Sequence, residues 1–347
     1  MMHTPQSNRK NEHLSLATKF WREGSNPQVG ATFDDIRWIP GPLQDISLDE
    51  VQPSVQLLSH DFDWPFYIEA MTGGSESTKR VNGDLASTAA VTNIAMAVGS
   101  QSVALKDPNQ ADSFEVVRKN NPNGFLIANL GADHPIENVR AAVNMIDANA
   151  IELHTNVGQE LTMAEGDRSF YWLDNLATII AKSPVPVIIK EVGFGMGPDL
   201  LKQLDALHPA AINIGGGNGT SFAQIEQARD RKNENPLDLS SFGLSTVESL
   251  LAAEKAGIET PIIATGGIQS AKDVTTALML GASAVSSAGH FLDTLMRDGR
   301  AGLQSEIELW QQQLPLYMTL LGAKKPNDLR EAKRLYSADL KNSMQQF

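Results

Sequence analysis

From Phe66 onward the chain is a series of short apolar runs, each followed by a glycine-rich or polar turn and then by a stretch of helical periodicity. Apolar runs that alternate with helix-length segments are typical of parallel strands, because the crossover helices bury both faces of such a sheet. Eight runs meet this description, and they cover residues 66–70, 93–98, 125–130, 150–154, 186–191, 210–214, 261–265 and 283–288.

Eight strand–helix units predict a closed barrel, whereas an open doubly wound sheet usually has fewer. We therefore predict an α/β fold, the (β/α)8 TIM barrel, over residues 66–347. The tail 301–347 predicts helices that pack on the barrel or on a neighbouring subunit. Residues 1–65 are polar at first and then rich in Asp, Pro and Gln. We predict them to be an N-terminal extension that closes over the barrel mouth, so that the chain is a single domain.

Local signals place individual helices and loops. Ser245 and Ser270 are suited to cap the starts of two helices, which then end at Gly257 and Gly281. Residues 219–244 are too long and too polar for a plain strand-to-helix connection. We interpret them as a mobile loop or lid.

Composition and charge exclude several classes of function. The 347 residues are 41% hydrophobic and 20% charged, as in an ordinary globular protein. A formal net charge of −13 argues against nucleic acid or an anionic membrane as a partner. The chain has no cysteine, which excludes thiolate metal sites and cysteine nucleophiles. We find no signal peptide and no apolar stretch of membrane-spanning length, and we therefore expect a cytoplasmic location.

Glycine, small polar or hydrogen-bonding residues follow every predicted strand, at the end where the active site of such a barrel lies. The last two strands, whose loops usually hold phosphate in this fold, end in Gly266–Gly267 and Ala288–Gly289. Glycines let backbone N–H groups approach phosphate oxygens, and the next helix N-terminus adds a favourable dipole. Together with the run 215–220, these loops predict a phosphate site, although tight turns alone would also explain the glycines.

Lys190 ends a strongly apolar strand. A lysine inside a barrel mouth is costly to bury without an anionic partner. Three interpretations remain open: a Schiff-base nucleophile, an electrostatic partner for an electron-rich cofactor ring, and a solvated lysine at a strand end.

A possible metal site follows the fourth strand, where His154, Asn156, Gln159 and Glu160 lie close together in the sequence. One carboxylate among neutral donors suits Mg²⁺, which typically takes one or two carboxylates and completes its shell with substrate phosphates and water. An ordinary glutamate at a helix start is the alternative for Glu160.

Arg9, Lys10 and His13 place three potentially cationic groups within one short segment of an acidic protein. A disordered polar tail is the usual explanation of such a run. The alternative is an anion clamp that folds over the barrel mouth.

Together these motifs resemble those of the FMN-dependent, type 2 isopentenyl-diphosphate isomerases. The N-terminal cluster and the His-x-Asn-x-x-Gln-Glu run are specific to this family, whereas the glycine loops would fit any FMN barrel. The matching segments follow one another along nearly the whole chain, at residues 9–13, 71–74, 99–101, 129–131, 154–160, 165–168, 190–193, 219–220, 266–267 and 288–289.

The resemblance implies a role for each matching residue. Gln159 and His154 are the implied catalytic residues, and Glu160 is the implied Mg²⁺ ligand. The residues implied to bind the substrate are Arg9, Lys10, His13, Ser100, His154, Asn156 and Gln159. Those implied to hold FMN are Ala70, Met71, Thr72, Ser100, Asn129, Lys190, Thr220, Gly266, Gly267, Ala288 and Gly289.

The implied reaction moves a double bond, converting isopentenyl diphosphate into dimethylallyl diphosphate. One proton is added to an alkene carbon and another is removed from the neighbouring CH₂. Reduced FMN is implied to act as the acid and base, with Mg²⁺ on the diphosphate and NADPH as the reductant. The resemblance also implies a homo-oligomer, either a tetramer or an octamer.

Two segments depart from the family pattern. Residues 216–219 read Gly-Gly-Asn-Gly, and Phe242–Gly243 stands where the family has Trp-Gly. In the family both lie near the flavin or its covering loop, so the resemblance does not specify how that loop packs in this chain.

Three competing functions can each be compared with one feature of the sequence. An FMN-dependent 2-hydroxy-acid oxidase needs a histidine base and an arginine after strand six, and residues 215–222 contain neither. An enzyme like inosine-monophosphate dehydrogenase needs a cysteine. A non-catalytic FMN-binding protein would not need the N-terminal anion site or Glu160.

Overall fold

Eight parallel strands close into a barrel in the computed structural model, which describes residues 5–41, 43, 45–163, 166–230 and 237–347. Each strand pairs with the next along the chain, and β8 closes the ring on β1. Every strand overlaps one predicted run, which confirms the predicted barrel. The strands are β1 Phe66–Ile68, β2 Met96–Ala97, β3 Leu126–Gly131, β4 Ala150–His154, β5 Val187–Lys190, β6 Ala211–Asn213, β7 Ile262–Thr265 and β8 Ala284–Ser287.

Helices alternate with the strands around the outside of the barrel. None of the described helices is both long enough and apolar enough to cross a bilayer. The helices are α1 Pro5–Glu23, α2 Glu76–Thr92, α3 Ser102–Lys106, α4 Asp112–Asn120, α5 Ile136–Ile146, α6 Val157–Thr162, α7 Leu173–Lys182, α8 Pro198–Asp205, α9 Phe222–Arg229, α10 Thr246–Ala256, α11 Ala271–Met279, α12 Gly289–Leu321 and α13 Ala338–Met344.

The predicted helix caps of α10 and α11 are confirmed. The side chain of Ser245 accepts a hydrogen bond from the backbone N of Glu248, and the side chain of Ser270 accepts one from the backbone N of Asp273. The interpretation of 219–244 as a loop is wrong for part of that segment, because Ser221 caps α9 by accepting from Gln224. Residues 231–236 lie outside the described part of the chain.

Different parts of the predicted N-terminal extension contact different parts of the barrel. Helix α1 packs on α9 and α12. The strand Ile36–Trp38 pairs antiparallel with Arg334–Tyr336 near the C-terminus. A hairpin, Val55–Leu57 with His60–Phe62, packs Leu57, Leu58 and Phe62 against Phe125 at the start of β3, at the end of the barrel opposite the mouth.

The helical tail packs against its own barrel. Trp310, Leu314 and Met318 lie on one face of α12 and are fully buried in the main core. Trp310 contacts Phe66 of β1 and Phe291, with ring centroids 5.5 and 4.7 Å apart.

The barrel interior has an apolar floor and a polar layer above it. Side chains alternate across a strand, so every second residue points inward. The inward residues at the start of the strands form the floor, namely Tyr67, Ala97, Ile127, Ala150, Ile188, Ala211, Ile263 and Ala284. Two positions later, towards the mouth, the buried residues are polar: Glu69, Asn129, Glu152, Lys190, Asn213, Thr265 and Ser286. This polar layer lies directly beneath the candidate site.

Candidate functional site

A cavity of about 300 Å³ opens at the carboxyl ends of the strands. Its walls come from the loops after all eight strands and from one face of α1. Every site residue predicted from the sequence contributes to its lining: Arg9, Lys10, His13, Ala70, Met71, Thr72, Ser100, Asn129, His154, Asn156, Gln159, Glu160, Lys190, Thr220, Gly266, Gly267, Ala288 and Gly289. The structure thus brings these residues together, while the role of each remains a prediction.

Helix α1 presents a regularly spaced face to the cavity. Lys10, Leu14, Ala17 and Trp21 recur at intervals of three or four residues, which is the spacing of one helix face. Trp21 packs against Gly289 so closely that a side chain on Gly289 would clash with its ring. Sequence reasoning did not single out Trp21, because the adjacent pair Phe20 and Trp21 in a largely polar segment gives no distinct signal.

Polar contacts near the middle and at the C-terminal end of α1 fix the helix to the barrel. Asn11 accepts a hydrogen bond from Ser75 Oγ at 2.6 Å. Arg22 Nε lies 2.7 Å from Asp293 Oδ1, whose side chain is buried on α12. The segment after the helix is held by Asn218, which accepts from the backbone N of Val29 at 2.6 Å. The alternative interpretation of this run as a disordered tail does not fit these contacts.

The cationic groups of α1 are buried at the cavity wall. Burial lowers the pKa of Lys10 to about 8, the charge of Arg9 adds to the fall, and Glu226 opposes it. Burial also lowers the pKa of His13, although its Nε2 lies 2.8 Å from Glu226 Oε1. A dianionic ligand at this wall would favour the charged forms of both residues.

The loops after β6, β7 and β8 form a cradle lined by backbone. Gly266 and Gly267 have positive φ of 110° and 71°. A Cβ on Gly267 would lie 2.9 Å from the carbonyl oxygen of Asn218, so close backbone packing requires the glycine there. Ala288 precedes α12 and gives its first turn no side-chain cap. The hydroxyl oxygen of Thr220 is buried and has no hydrogen-bond partner in the described structure.

These features fit the phosphate end of FMN. An uncapped helix N-terminus offers N–H groups and a favourable dipole to an anion. A buried hydroxyl without a partner is costly, and a phosphate oxygen would satisfy it. The glycines also serve as tight turns, so both interpretations from the sequence apply to the same loops.

Lys190 forms part of the cavity floor. Its ammonium group donates to the carbonyl of Glu191 at 3.0 Å and lies 3.7 Å from Glu69 Oε1. The side chain is 7% exposed, so the interpretation as a solvated strand-end lysine is wrong. A buried cation paired with one carboxylate is suited to interact with an electron-rich ring above it.

His154 lies at the end of β4 and is held by β3. Its Nδ1 is 3.0 Å from Asn129 Oδ1. Burial lowers the pKa of His154 to about 3, with the charges of Lys190 and Lys10 adding to the fall. The imidazole is therefore uncharged near neutral pH, and its Nδ1–H donates to Asn129.

Gln159 is oriented by hydrogen bonds on both sides of its amide. Its oxygen accepts from Asn156 Nδ2 at 3.1 Å, and its nitrogen donates to Glu226 Oε1 at 3.2 Å. Burial alone would raise the pKa of Glu226, but His13 and Arg229 lower it to about 2. Sequence reasoning missed Glu226, which lies within the segment interpreted as a loop.

Glu160 is a half-buried carboxylate at the cavity rim. It accepts hydrogen bonds from Asn156 Nδ2 at 3.3 Å and from the backbone N of Asp167 at 2.8 Å. Burial raises its pKa, and these hydrogen bonds oppose the rise. Among the residues that the structure describes, no group of three or more His, Asp or Glu side chains could hold a metal. Glu165, the first residue of the matching segment 165–168, lies outside the described residues.

The two segments that depart from the family pattern make specific contacts. Asn218 has a positive φ of 72° and donates to the carbonyl of Ala31 at 3.2 Å. Phe242 is largely exposed and packs edge-to-face on Phe194, with centroids 5.5 Å apart. Gly243 has a φ of 108°, and a side chain there would clash with the backbone of Phe194.

Solved structures with this fold include flavin enzymes. A flavocytochrome b2 variant with sulfite bound aligns with a TM-score of 0.68 and 18% identity, covering 94% of this chain and 84% of that one. A mandelate oxidase variant aligns with a TM-score of 0.63 and 15% identity, over 94% and 92% of the two chains. At such low identity these similarities confirm the barrel fold alone.

Sequence comparisons are more specific. The profile of FMN-dependent dehydrogenases matches residues 134–335. An isopentenyl-diphosphate delta-isomerase of Lactococcus lactis is 48% identical, over 97% of this chain and 96% of its own length. One from Latilactobacillus sakei is 41% identical over 97% and 95%, and one from Staphylococcus haemolyticus is 39% identical over 97% and 95%. The chain therefore belongs to the FMN-dependent, type 2 isopentenyl-diphosphate delta-isomerase family.

Proposed function

We propose that this protein converts isopentenyl diphosphate into dimethylallyl diphosphate at the barrel mouth, with FMN as cofactor. One observation supports this above the others: two parts of the cavity wall are suited to bind an anion. The first is the cradle at Gly266–Gly267 and Gly289, and the second is the basic face of α1 with Lys10 and His13. A protein that only stored flavin would need one of them.

The N-terminal cations are assigned to the substrate diphosphate. Arg9, Lys10 and His13 bind it from α1, and Ser100, His154 and Asn156 bind it from the strand ends. This clamp lies away from the reacting carbons, so its binding energy holds the alkene in place for proton transfer. His154 is uncharged in the protein without ligand. A bound dianion raises the pKa of the ring and therefore favours its protonation.

FMN is assigned to the floor and the glycine cradle of the cavity. Ala70, Met71, Thr72, Ser100, Asn129 and Lys190 would hold the cofactor from the floor and the first loops, and Thr220, Gly266, Gly267, Ala288 and Gly289 would hold its phosphate. Reduced FMN would supply an electron-rich surface and a group that exchanges protons. The protein orients the alkene, excludes water and, through Lys190, stabilises negative charge near the ring.

Gln159 is assigned a place beside the reacting carbons. Asn156 and Glu226 fix both ends of its amide, so its orientation does not depend on the ligand. A weakly basic alkene needs a well-positioned partner on the face where a proton arrives or leaves. Gln159 is therefore assigned to position the substrate carbons or to assist one of the proton transfers.

Several finer features are also proposed here. NADPH supplies the electrons that reduce the flavin, and the protein works in the cytoplasm as a tetramer or an octamer. Its substrate is a small diphosphate, and it acts without nucleic acid or a membrane. These proposals rest on the family resemblance and on the acidic composition.

The function is tested by following isopentenyl diphosphate by proton NMR with the FMN-loaded, reduced protein and Mg²⁺. The expected result is conversion to dimethylallyl diphosphate. Mandelate and lactate serve as control substrates, because a 2-hydroxy-acid oxidase would turn them over aerobically. Oxidation of either acid without any isomerisation would replace this proposal by the oxidase.

Glu160→Gln is expected to lower activity at least about tenfold and to remove its dependence on Mg²⁺. A neutral amide loses the main electrostatic attraction for a hard cation, and even outer-shell changes at metal sites cost about 10- to 100-fold. FMN binding should persist, since Glu160 belongs to the rim. The measurement is the initial rate against Mg²⁺ concentration.

Glu137→Gln is the matched control, because Glu137 is also a first-turn glutamate of a helix but is exposed. It should leave the Mg²⁺ response unchanged. If Glu160→Gln behaves in the same way as this control, Glu160 is an ordinary helix-start residue.

A further inference from the structure

Two buried carboxyl groups lie in the polar layer beneath the cavity. Glu69 directly follows β1 and is 1% exposed, and Glu152 lies on β4 and is 0% exposed. The assigned functions of the site use neither of them. Burial of one charged carboxylate is costly without partners, and burial of two side by side is more so.

The contacts of Glu69 suit an ionised carboxylate. Its Oε2 accepts from Ser286 at 2.6 Å, from Asn213 at 2.8 Å and from Thr265 at 3.2 Å. Its Oε1 accepts from the backbone N of Ala70 at 2.7 Å and lies 3.7 Å from Lys190 Nζ. Four donors and one cation surround this group.

Glu152 has fewer donors around it. Tyr67 donates to it at 3.0 Å and Asn129 at 3.3 Å. Burial and the charge of Glu69 raise the pKa of Glu152 to about 8, and Lys190 opposes this. Burial would also raise the pKa of Glu69, but Lys190 and its hydrogen bonds lower it. Near neutral pH the two carboxyls therefore carry one negative charge, and Glu152 holds a proton.

The neighbouring titratable groups do not add a second charge to this pair. Tyr67 faces the two carboxyls from β1, and burial raises the pKa of its phenol. Lys190 faces them from β5. Beyond Lys190 lie His154, which is uncharged near neutral pH, and Glu191, whose pKa burial raises to about 8. The cavity floor thus contains one cation and one anion close together.

We propose that Glu69 is a positioning residue that holds the ammonium group of Lys190 at the cavity floor and, by offsetting its charge, sets the reduction potential of bound FMN. This rests on the proposed site for FMN. A cation beside the ring stabilises added negative charge, so Lys190 alone would raise the potential. The carboxylate beside it reduces that effect. Glu152 keeps its proton and holds Glu69 in place without adding charge.

The test measures the midpoint potential of bound FMN at pH 7 in four forms of the holoprotein. Glu69→Gln alone would let Glu152 ionise in its place, so the comparison is made in the Glu152→Gln background. Glu152→Gln is the matched control and should keep the wild-type potential, because it replaces a neutral group. The double variant with Glu69→Gln should shift the balance towards reduced flavin at least tenfold, which is about 30 mV for a two-electron couple.

Glu69→Asp in the same background retains the charge and is expected to return the potential towards that of Glu152→Gln. A role confined to packing would not give this rescue. A potential in the double variant equal to or below that of its control overturns the proposal. The proposal is also overturned if the midpoint potential of Glu152→Gln alone is as high as that of the double variant.

An infrared spectrum of the protein without FMN tests the shared proton independently. The band of protonated buried carboxyls should be present in wild type at pH 7 and should lose part of its intensity in Glu152→Gln, where Glu191, whose pKa burial also raises to about 8, still contributes. A band of equal intensity in the two proteins would contradict the charge assignment. Failure of the wild type to bind FMN in a saturable way would instead overturn the proposed cofactor site and, with it, the effect on potential.

Discussion

The protein is expected to be inactive with oxidised FMN in air and active once the flavin is reduced under anaerobic conditions. Isomerisation leaves the oxidation state of the substrate unchanged, so no electrons leave the protein during turnover. A redox cofactor at such a site therefore has to act in one oxidation state, and the buried cation Lys190 favours the reduced, anionic form. The rate should rise from background to its full value on addition of dithionite or NADPH.

Stoichiometry provides the control for this result. Many substrate molecules should be converted after a single reduction, without matching consumption of NADPH. A reduced 5-deazaflavin, which has carbon in place of N5, should bind but not support turnover. One NADPH oxidised per product, or full activity with oxidised flavin, would show that the protein is an ordinary oxidoreductase.

The barrel could be predicted from the sequence because each strand is buried on both faces. Strands such as β3 and β5 are therefore continuous apolar runs, bounded by glycine or polar residues. The hairpin Val55–Leu57 with His60–Phe62 and the pair Ile36–Trp38 with Arg334–Tyr336 gave no such signal. Each of those strands is three residues long, and their pairing depends on tertiary packing that local sequence does not encode.

The site residues at strand ends could be found for a similar reason. In this fold the carboxyl ends of all strands meet at one mouth, so residues far apart in sequence become neighbours. Within the polar layer, Asn129 and Lys190 were predicted, but Glu69 and Glu152 were missed, although their signal is visible. Glu69 and Glu152 interrupt apolar runs at inward positions, where a charged residue requires a specific partner. The capped helix α9, which carries Glu226, was missed because its polar flanks resemble a loop.

Lys10→Ala is expected to raise the apparent KM for isopentenyl diphosphate roughly 10- to 150-fold while leaving the affinity for FMN nearly unchanged. One charge-assisted hydrogen bond contributes about 1.5–3 kcal/mol, which corresponds to that range. Lys10 lies on α1, whereas FMN is assigned to the loops at the strand ends, so the affinity for the substrate and the affinity for FMN should change independently. Steady-state kinetics and a flavin titration measure them. Lys19→Ala is the control, because Lys19 is on the same helix with 58% of its side chain exposed.

The pH dependence of the same residue tests whether its charge is what binds the substrate. Burial lowers the pKa of Lys10 to about 8, so the free enzyme loses this cation as the pH rises through that value. Because the charged form is proposed to bind the diphosphate, kcat/KM should be full below pH 8 and should fall above it. Lys10→Arg keeps its charge at higher pH and should move the fall upward, since a guanidinium stays protonated. Glu152 and Glu191 titrate near the same pH but are unchanged in this variant. If the pH profile of kcat/KM is identical in wild type and Lys10→Arg, another group controls binding. If Lys10→Ala and Lys19→Ala have equal KM values, Lys10 does not belong to the substrate site.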